Sequence, residues 1–303
     1  MKKLSQKILE NYQIRRTTKQ KLAFIDLMKE NFPEMQVQEC GLIKCRNLII
    51  GDVETAKVIL GAHYDTCAAL LFPNFITPKK PAYTFIYSAL SIIPLFLIIY
   101  FLNTMLNQLS NNYLLNYFIA IAVYIALLAS FVFGPPNKHT ANDNTSGVIT
   151  LVELLKSMDE ETRKKVAFVF FDHEETGLLG SYYFRKQHKD IIQDKLLINF
   201  DCVSDGDFLL LAATHTATDT YGKLFEESFR STKTKTVLFD SLDKVFYPSD
   251  HAGFPTALAI ACLKHKRVIG YYMDRIHTSK DIIFDQTNIK LLCDGVHKLM
   301  EKL

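Results

Sequence analysis

No aspartate, glutamate, lysine or arginine occurs between positions 81 and 137, although these residues make up 22% of the 303-residue chain. A charge-free run of that length excludes an ordinary solvated surface segment. Closely spaced cysteine pairs are also missing. The six cysteines, at 40, 45, 67, 202, 262 and 293, are too scattered for a cysteine-based zinc module. Cys40 and Cys45 flank a turn at Gly41 and can face each other across a hairpin. Nothing else points to an oxidising compartment, so thiols are expected there. The net charge is only +3 and no basic run is clustered, which excludes a nucleic-acid partner. After Met1-Lys2-Lys3 come Gln6, Lys7, Glu10, Asn11 and Gln13. That start lacks the apolar core of a secretion signal and is expected to stay in the cytoplasm. Tryptophan is absent altogether.

Within the charge-free stretch, Tyr83 to Leu102 and Tyr113 to Phe133 are nearly continuous apolar runs. At about 20 residues each, they are long enough to cross a bilayer of about 30 Å. A polar, uncharged turn from Asn103 to Asn112 separates them, and Pro135-Pro136 closes the second. Tyr83, Tyr87, Tyr100, Tyr113 and Tyr117 suit interfacial positions, and Pro94 can kink the first run without excluding a span. The alternative is a pair of buried or dimer-forming helices, but the remaining chain is hardly large enough to wrap them. Two spans at about 83–102 and 113–133 put 1–80 and 138–303 on one side, as one domain interrupted by an inserted hairpin at 81–137. Lys79, Lys80 and Lys138 flank that side and the hairpin tip has no basic residue. A multi-pass membrane protein with its main domain in the cytoplasm is therefore expected.

The rest reads as helices and short apolar strands in alternation. Residues 1–31 read as helix, with Leu4, Ile8 and Tyr12 and then Leu22, Ile25 and Met28 at helical spacing, and Pro33 ends the second run. Strands are expected at 36–40, 43–50, 56–61, 166–171, 196–200, 207–212 and 256–261. Helices are expected at 145–158, 177–188, 217–231 and 285–302. This order predicts an α/β fold, a three-layer sandwich around a mostly parallel or mixed central sheet.

Five short motifs lie just after strands or at loop mouths. His63-Tyr-Asp65 follows the strand at 56–61, and a carboxylate two residues beyond an imidazole can hold its second nitrogen. Asn142-Asp143-Asn144-Thr-Ser-Gly147 precedes a helix; it serves equally as a cap or as a cation-bridging loop. His173-Glu174-Glu175-Thr-Gly177 follows the strand at 166–171. Adjacent carboxylates there repel unless a cation or a proton intervenes. Asn199-Phe-Asp201 ends an apolar strand in a carboxylate, where sites form in α/β sheets. His277-Thr-Ser-Lys-Asp281 precedes the last helix. Each motif is weak alone, but two histidines, a central aspartate and two further carboxylates together make up a two-metal ligand set. Two divalent ions carry four positive charges, which Asp143, Glu175, Asp201 and a hydroxide would balance.

The stretches Gly61-Ala-His-Tyr-Asp65, Asn142-Asp-Asn-Thr-Ser-Gly147, Glu174-Glu175 with Gly177 and Gly180-Ser181, Asn199-Phe-Asp201, Ser249-Asp-His251, and His277-Thr278 with Asp281 occur in this order. The set resembles the zinc peptidase family of the bacterial two-zinc aminopeptidases and glutamate carboxypeptidases. The resemblance covers about 55–65 and 140–300. It implies a zinc-exopeptidase-like fold and two Zn²⁺ ions, with cobalt or manganese able to use the same ligands. One ion would take His63 and Asp201, the other Glu175 and His277, and Asp143 would bridge them. Asp65 would orient His63, and Glu174 would act as general base towards a metal-activated water. Tyr247, Asp250 and His251 are candidates for substrate or transition-state contacts; the spacing of Tyr247 to Ser249 is imperfect, and its role stays open.

The expected activity is that of an aminopeptidase acting on peptides, hydrophobic or membrane-associated ones given the hairpin, with the lipid bilayer as the other partner and the oligomeric state open. Three alternatives remain. A glutaminyl-cyclase-like acyltransferase shares the fold but uses one metal and commonly has tryptophan in its pocket, and this chain has none. A carboxypeptidase has the same architecture. A catalytically inactive membrane binding protein would be expected to have lost ligands, and none is missing.

Overall fold

Short, fully apolar strands can be covered only by a layer on each face, and the chain supplies both layers. The computed structural model describes residues 3–41 and 44–303. The strands are β1 (Gln36–Cys40), β2 (Cys45–Ile50), β3 (Val58–His63), β4 (Val166–Phe171), β5 (Leu196–Phe200), β6 (Phe208–Ala213), β7 (Thr236–Ser241), β8 (Ala257–Lys266) and β9 (Gly270–Tyr272). The helices are α1 (Lys3–Asn11), α2 (Thr18–Asn31), α3 (Pro81–Leu109), α4 (Tyr113–Phe133), α5 (Gly147–Ser157), α6 (Glu160–Arg163), α7 (Leu179–Gln187), α8 (His215–Ser228) and α9 (Gln286–Met300).

The strands form one mixed sheet in the order β1-β2-β4-β3-β5-β8-β6-β7, with β9 paired to β8. Strand β3 runs parallel to both β4 and β5, and β5 runs parallel to β8. Alternation along the strands builds three cores among the described residues, one of them around Leu210 and Ala212 of β6 and Ala261 and Leu263 of β8. Leu60, Phe168, Phe170 and Ile198 face α1, α2, α5, α8 and α9. Ile59, Val169, Phe171 and Leu197 face the other way, against Phe184 of α7 and Phe254. The result is the expected three-layer α/β sandwich, in which the carboxyl ends of β3, β4 and β5 lie side by side.

Several expectations are corrected. The helix expected over 1–31 is two helices with a break at 12–17. Thr17 and Gln20 form a capping box that starts α2 afresh, a Thr-x-x-Gln signal present in the sequence. The break lets Arg15 enter the interior. The strand expected at 43–50 starts at Cys45; residue 43, like residues 1 and 2 of the expected first helix, lies outside the described residues. Strand β3 is displaced by two residues and ends on His63. Strands β7 and β9 were not anticipated: β7 lies at a half-covered edge without a full apolar run, and β9 is only three residues long. Cys40 and Cys45 do face each other across β1 and β2, as free thiols.

Helices α3 and α4 pack against each other, with Phe96 stacked on Tyr124, and α3 continues through Pro94. At 29 and 21 residues both are long and apolar enough to cross a membrane. Their side chains are largely exposed, so the layers of the sandwich do not cover them. At the tip, Asn116 donates to Asn107 Oδ1 and to the Ser110 carbonyl, tying α4 to the turn.

Candidate metal centre

The site is assembled where the parallel strands end, next to the point where chain order reverses between β4 and β5 on either side of β3. His63 is the last residue of β3 and Asp65 lies two residues on. Glu174 and Glu175 follow β4, Asp201 follows β5, and His277 lies in the loop after β9. Asp143 sits in the tight turn Ala141–Ser146 that leads into α5.

These side chains meet. His63 Nε2 lies 3.4 Å from Asp143 Oδ1 and 3.5 Å from Asp201 Oδ1. His277 Nε2 lies 3.1 Å from Asp143 Oδ2 and 3.2 Å from Glu175 Oε2. Asp143 thus turns one carboxylate oxygen to each imidazole. His63, Glu174 and Asp201 offer atoms within 4.8 Å of one another. Together with Asn74, Ile76, Leu178, Tyr247, Pro248 and Ile276, these residues line a cavity of about 200 Å³. A larger groove of about 450 Å³ between α5 and α9 does not bring its acidic and histidine side chains into any such group.

Hydrogen bonds fix the framework. Asp281 accepts from the amides of Asn142 and Asp143 at 2.8 and 3.0 Å. Asn142 Oδ1 accepts from the amides of Ser204 and Asp205, and Asn144 Nδ2 donates to the Phe200 carbonyl, so the Asp143 turn is tied to the Asp201 loop. The Asp143–Asn144 peptide is cis. A Cβ on Gly147 would lie 2.4 Å from the Phe200 carbonyl oxygen, so only glycine lets α5 start this close to β5. Asp65 accepts from the amides of Glu174 and Glu175 at 3.0 and 3.3 Å. His63 Nδ1 lies 3.1 Å from the Asp65 carbonyl and 3.6 Å from its carboxylate. Asp65 therefore holds the Glu174-Glu175 loop as much as it orients His63. His173, Leu178, Cys202 and His277 all have positive φ, a strained state for residues with side chains that is common at functional sites.

Some contributors carried no recognisable sequence signal. Arg15, fully buried, donates from Nε to the Tyr64 carbonyl at 2.5 Å, from Nη1 to Thr145 Oγ1 at 3.1 Å and also to the Tyr12 carbonyl. Its own amide donates to Thr66 Oγ1. One residue on, Arg16 donates to the carbonyls of Val132 and Gly134 at the end of α4. Lys21 pairs with the buried Asp172 at 2.5 Å, just ahead of the glutamates. Cys67 lies with Glu175 and His277, and Cys202 with Asp143 and Asp201. Lone cysteines have no spacing by which sequence could place them there. Tyr247 donates its hydroxyl to the Asp201 carbonyl and stacks on His251. Asp250 and His251 are buried and neither lines the cavity, so of the three candidates for substrate contact only Tyr247 reaches its wall.

The electrostatics show too much negative charge for the two imidazoles. Burial, then neighbouring carboxylates, raise Glu174 and Glu175 well above the usual range, with His63 opposing. Burial pushes Asp281 to about 8 and Asp250 to about 7. Burial opposes charge on His63 and His277, but the facing carboxylates outweigh it and raise both. For Asp65, burial is outweighed by His63 and Lys21, and its carboxyl is held at about 2.

These residues fit divalent cations. Two ligands about 2.1 Å from one tetrahedral ion lie about 3.4 Å apart, close to the 3.1–3.5 Å of the imidazole–carboxylate pairs. Glu175 Oε1 and Asp201 Oδ1 are buried and accept no hydrogen bond. Nitrogen and carboxylate donors suit zinc.

The architecture has known counterparts. Over 99% of this chain and 68% of the other, the fold matches the LapA aminopeptidase of Legionella pneumophila, with a TM-score of 0.58 and 13% identity. A glutaminyl cyclase of Porphyromonas gingivalis matches over 99% of this chain and 96% of its own, with a TM-score of 0.59 and 16% identity. A Zn-dependent exopeptidase of Parabacteroides distasonis matches over 98% and 94%, with a TM-score of 0.58 and 14% identity. At such identities the likeness is one of fold. No curated protein matches in sequence. The model of Peptidase family M28 matches residues 125–299, more than half the chain and the part that carries Asp143, Glu174, Glu175, Asp201 and His277. With that match and a zinc-exopeptidase-like sandwich around it, the chain belongs to Peptidase family M28.

Proposed function

We propose that the chain is a membrane-anchored two-zinc aminopeptidase. The observation that carries this reading is Asp143, whose two oxygens face His63 and His277 separately, each imidazole having a second carboxylate beside it. His63 and Asp201 would hold one ion, Glu175 and His277 the other, with Asp143 shared. When bound, divalent cations polarise a scissile carbonyl and bring the pKa of a water towards neutrality.

The chain's own groups do the rest. Asp65 holds the loop of Glu174 and fixes the His63 ring. Glu174, outside the expected ligand set but on the cavity wall, takes the proton of the attacking water and returns it to the leaving amine. Burial raises its affinity for protons above that of an ordinary carboxylate. Leu178, Ile76 and Ile276 give the cavity an apolar side for a substrate side chain.

In this reading α3 and α4 span a bilayer with the catalytic layers on the cytoplasmic side, next to Lys79, Lys80 and Lys138. Arg16, which binds the carbonyls at the end of α4, adds to that positive foot. Hydrophobic or membrane-associated peptides are then the natural substrates.

The test combines metal analysis with assays on free-amine peptides and their acetylated versions. Two ions per chain and loss of cleavage on acetylation are expected. Glu174→Gln should keep both ions yet lose turnover; wild-type activity in that metal-loaded variant would end the assignment of the base. One ion per chain with pyroglutamate formed from Gln-peptides would favour a cyclase, and equal cleavage of acetylated peptides a carboxypeptidase.

A further inference from the structure

The loop that leaves His63 does not return to the protein surface in the ordinary way. From Thr66 to Pro78 it carries no charged residue, so only Lys79 and Lys80 separate it from the charge-free hairpin. At its crest Leu71 is 90% exposed, more than any large apolar residue of α3 or α4, and Phe72 is 53% exposed. Water solvates such a pair poorly, and the neighbouring Pro73 prevents the turn from joining a sheet.

Both ends of the turn are fixed. Ala69 donates to the Pro135 carbonyl at 2.9 Å, and Ala68 bridges Pro136, directly after α4. Leu70 donates to the His277 carbonyl at 2.8 Å, and Asn74, on the cavity wall, donates to that of Ile276. On the other side of the hairpin foot, Phe246 donates to the Pro78 carbonyl and packs on Phe85 of α3, next to the cavity residue Tyr247. The exposed apolar crest is thus continuous with the foot of the hairpin and adjoins the mouth of the site.

We infer that Leu71 and Phe72 form a third membrane contact, a wedge that enters the lipid interface beside α4 and holds the cavity mouth at the lipid–water boundary. Its occupant is lipid acyl chain, because the surface it extends is that of the two membrane-length helices. The inference rests on the membrane reading of α3 and α4. It narrows the substrate class to peptides whose free end emerges from the bilayer surface beside this turn.

The absence of tryptophan makes a direct test available. Full-length protein with Phe72→Trp as its single tryptophan is reconstituted in phosphatidylcholine vesicles, with and without brominated acyl chains. Blue-shifted emission that is quenched by bromine is expected. Leu71→Trp provides a second reporter, at a side chain with almost no packing to lose. Ile98→Trp, in the middle of α3, reports on the hairpin. Quenching at 98 with water-like, unquenched emission at both 71 and 72 would overturn the wedge and leave the hairpin reading standing. Absence of quenching at 98 would overturn the hairpin reading and the wedge with it.

Discussion

Asp65 reaches three partners, the amides of Glu174 and Glu175 and the imidazole of His63. Asp65→Asn keeps the size but exchanges one acceptor oxygen for a donor facing an amide. A loss of about 10–100-fold in zinc affinity is expected, with unchanged circular dichroism, read by competition with a chelating dye. At the same scale the titrations fix a sign. Glu174, Glu175, Asp250 and Asp281 hold protons more tightly in the fold than in the unfolded chain. Stability therefore falls as pH rises from about 4 to about 8. His63 and His277, also raised, lose their stabilising charge in the same direction, above about 6.5. Asp65 and Asp143, both lowered, act oppositely but only below about 4. Chelator-treated protein should therefore melt at a lower temperature at pH 8 than at pH 6, and added zinc should remove the difference. Equal melting temperatures in chelator would contradict the charge excess.

Among the elements, the strap at 12–17 joins parts that are remote in sequence. Arg15 binds the loops of Asp65 and Asp143, and Arg16 the end of α4. Burial lowers the Arg15 pKa to about 10 against the pull of Asp65 and Asp143, so it stays charged at neutral pH. Arg15→Met would leave the buried Tyr64 carbonyl and Thr145 hydroxyl, and the part-buried Tyr12 carbonyl, without this donor. A loss of about 3 kcal/mol is expected in denaturant unfolding. Arg15→Lys should recover part of it, since an ammonium reaches fewer of these acceptors at once. A strap that only covers the surface would show no such difference.

For the whole molecule, a 29-residue and a 21-residue apolar helix are rooted between the loops of His63 and Asp143. Cell membranes washed with alkaline carbonate should retain the full chain, and its release into the supernatant would count against spanning. Replacing Leu71 and Phe72 by Asp should lower turnover of a bilayer-partitioned peptide relative to a short soluble one. An unchanged ratio would separate membrane attachment from substrate choice.

The sandwich was legible because β3, β4 and β5 are short apolar runs and α5 and α9 carry helical periodicity, both local properties. Where local signals conflicted, tertiary packing decided. Helix was expected across 12–17, yet the buried Arg15 and the Thr17 cap break it there. Edge strand β7 has no pattern of its own because pairing to β6 alone creates it.

The candidate ligands could be listed from residue type and order, since histidine and carboxylate beyond strand ends are the donors a divalent ion needs. Their approach to within 3.1–3.5 Å could not be read off, because it depends on parallel pairing of β3, β4 and β5 and on Asp281 and Asn142 holding the Asp143 turn. The sequence by itself determined which side chains carry charge, which segments avoid water and where strands can start. Only the tertiary structure decided which of those charges share one cavity, because distance through the fold is set by strand order and loop anchoring rather than by separation along the chain.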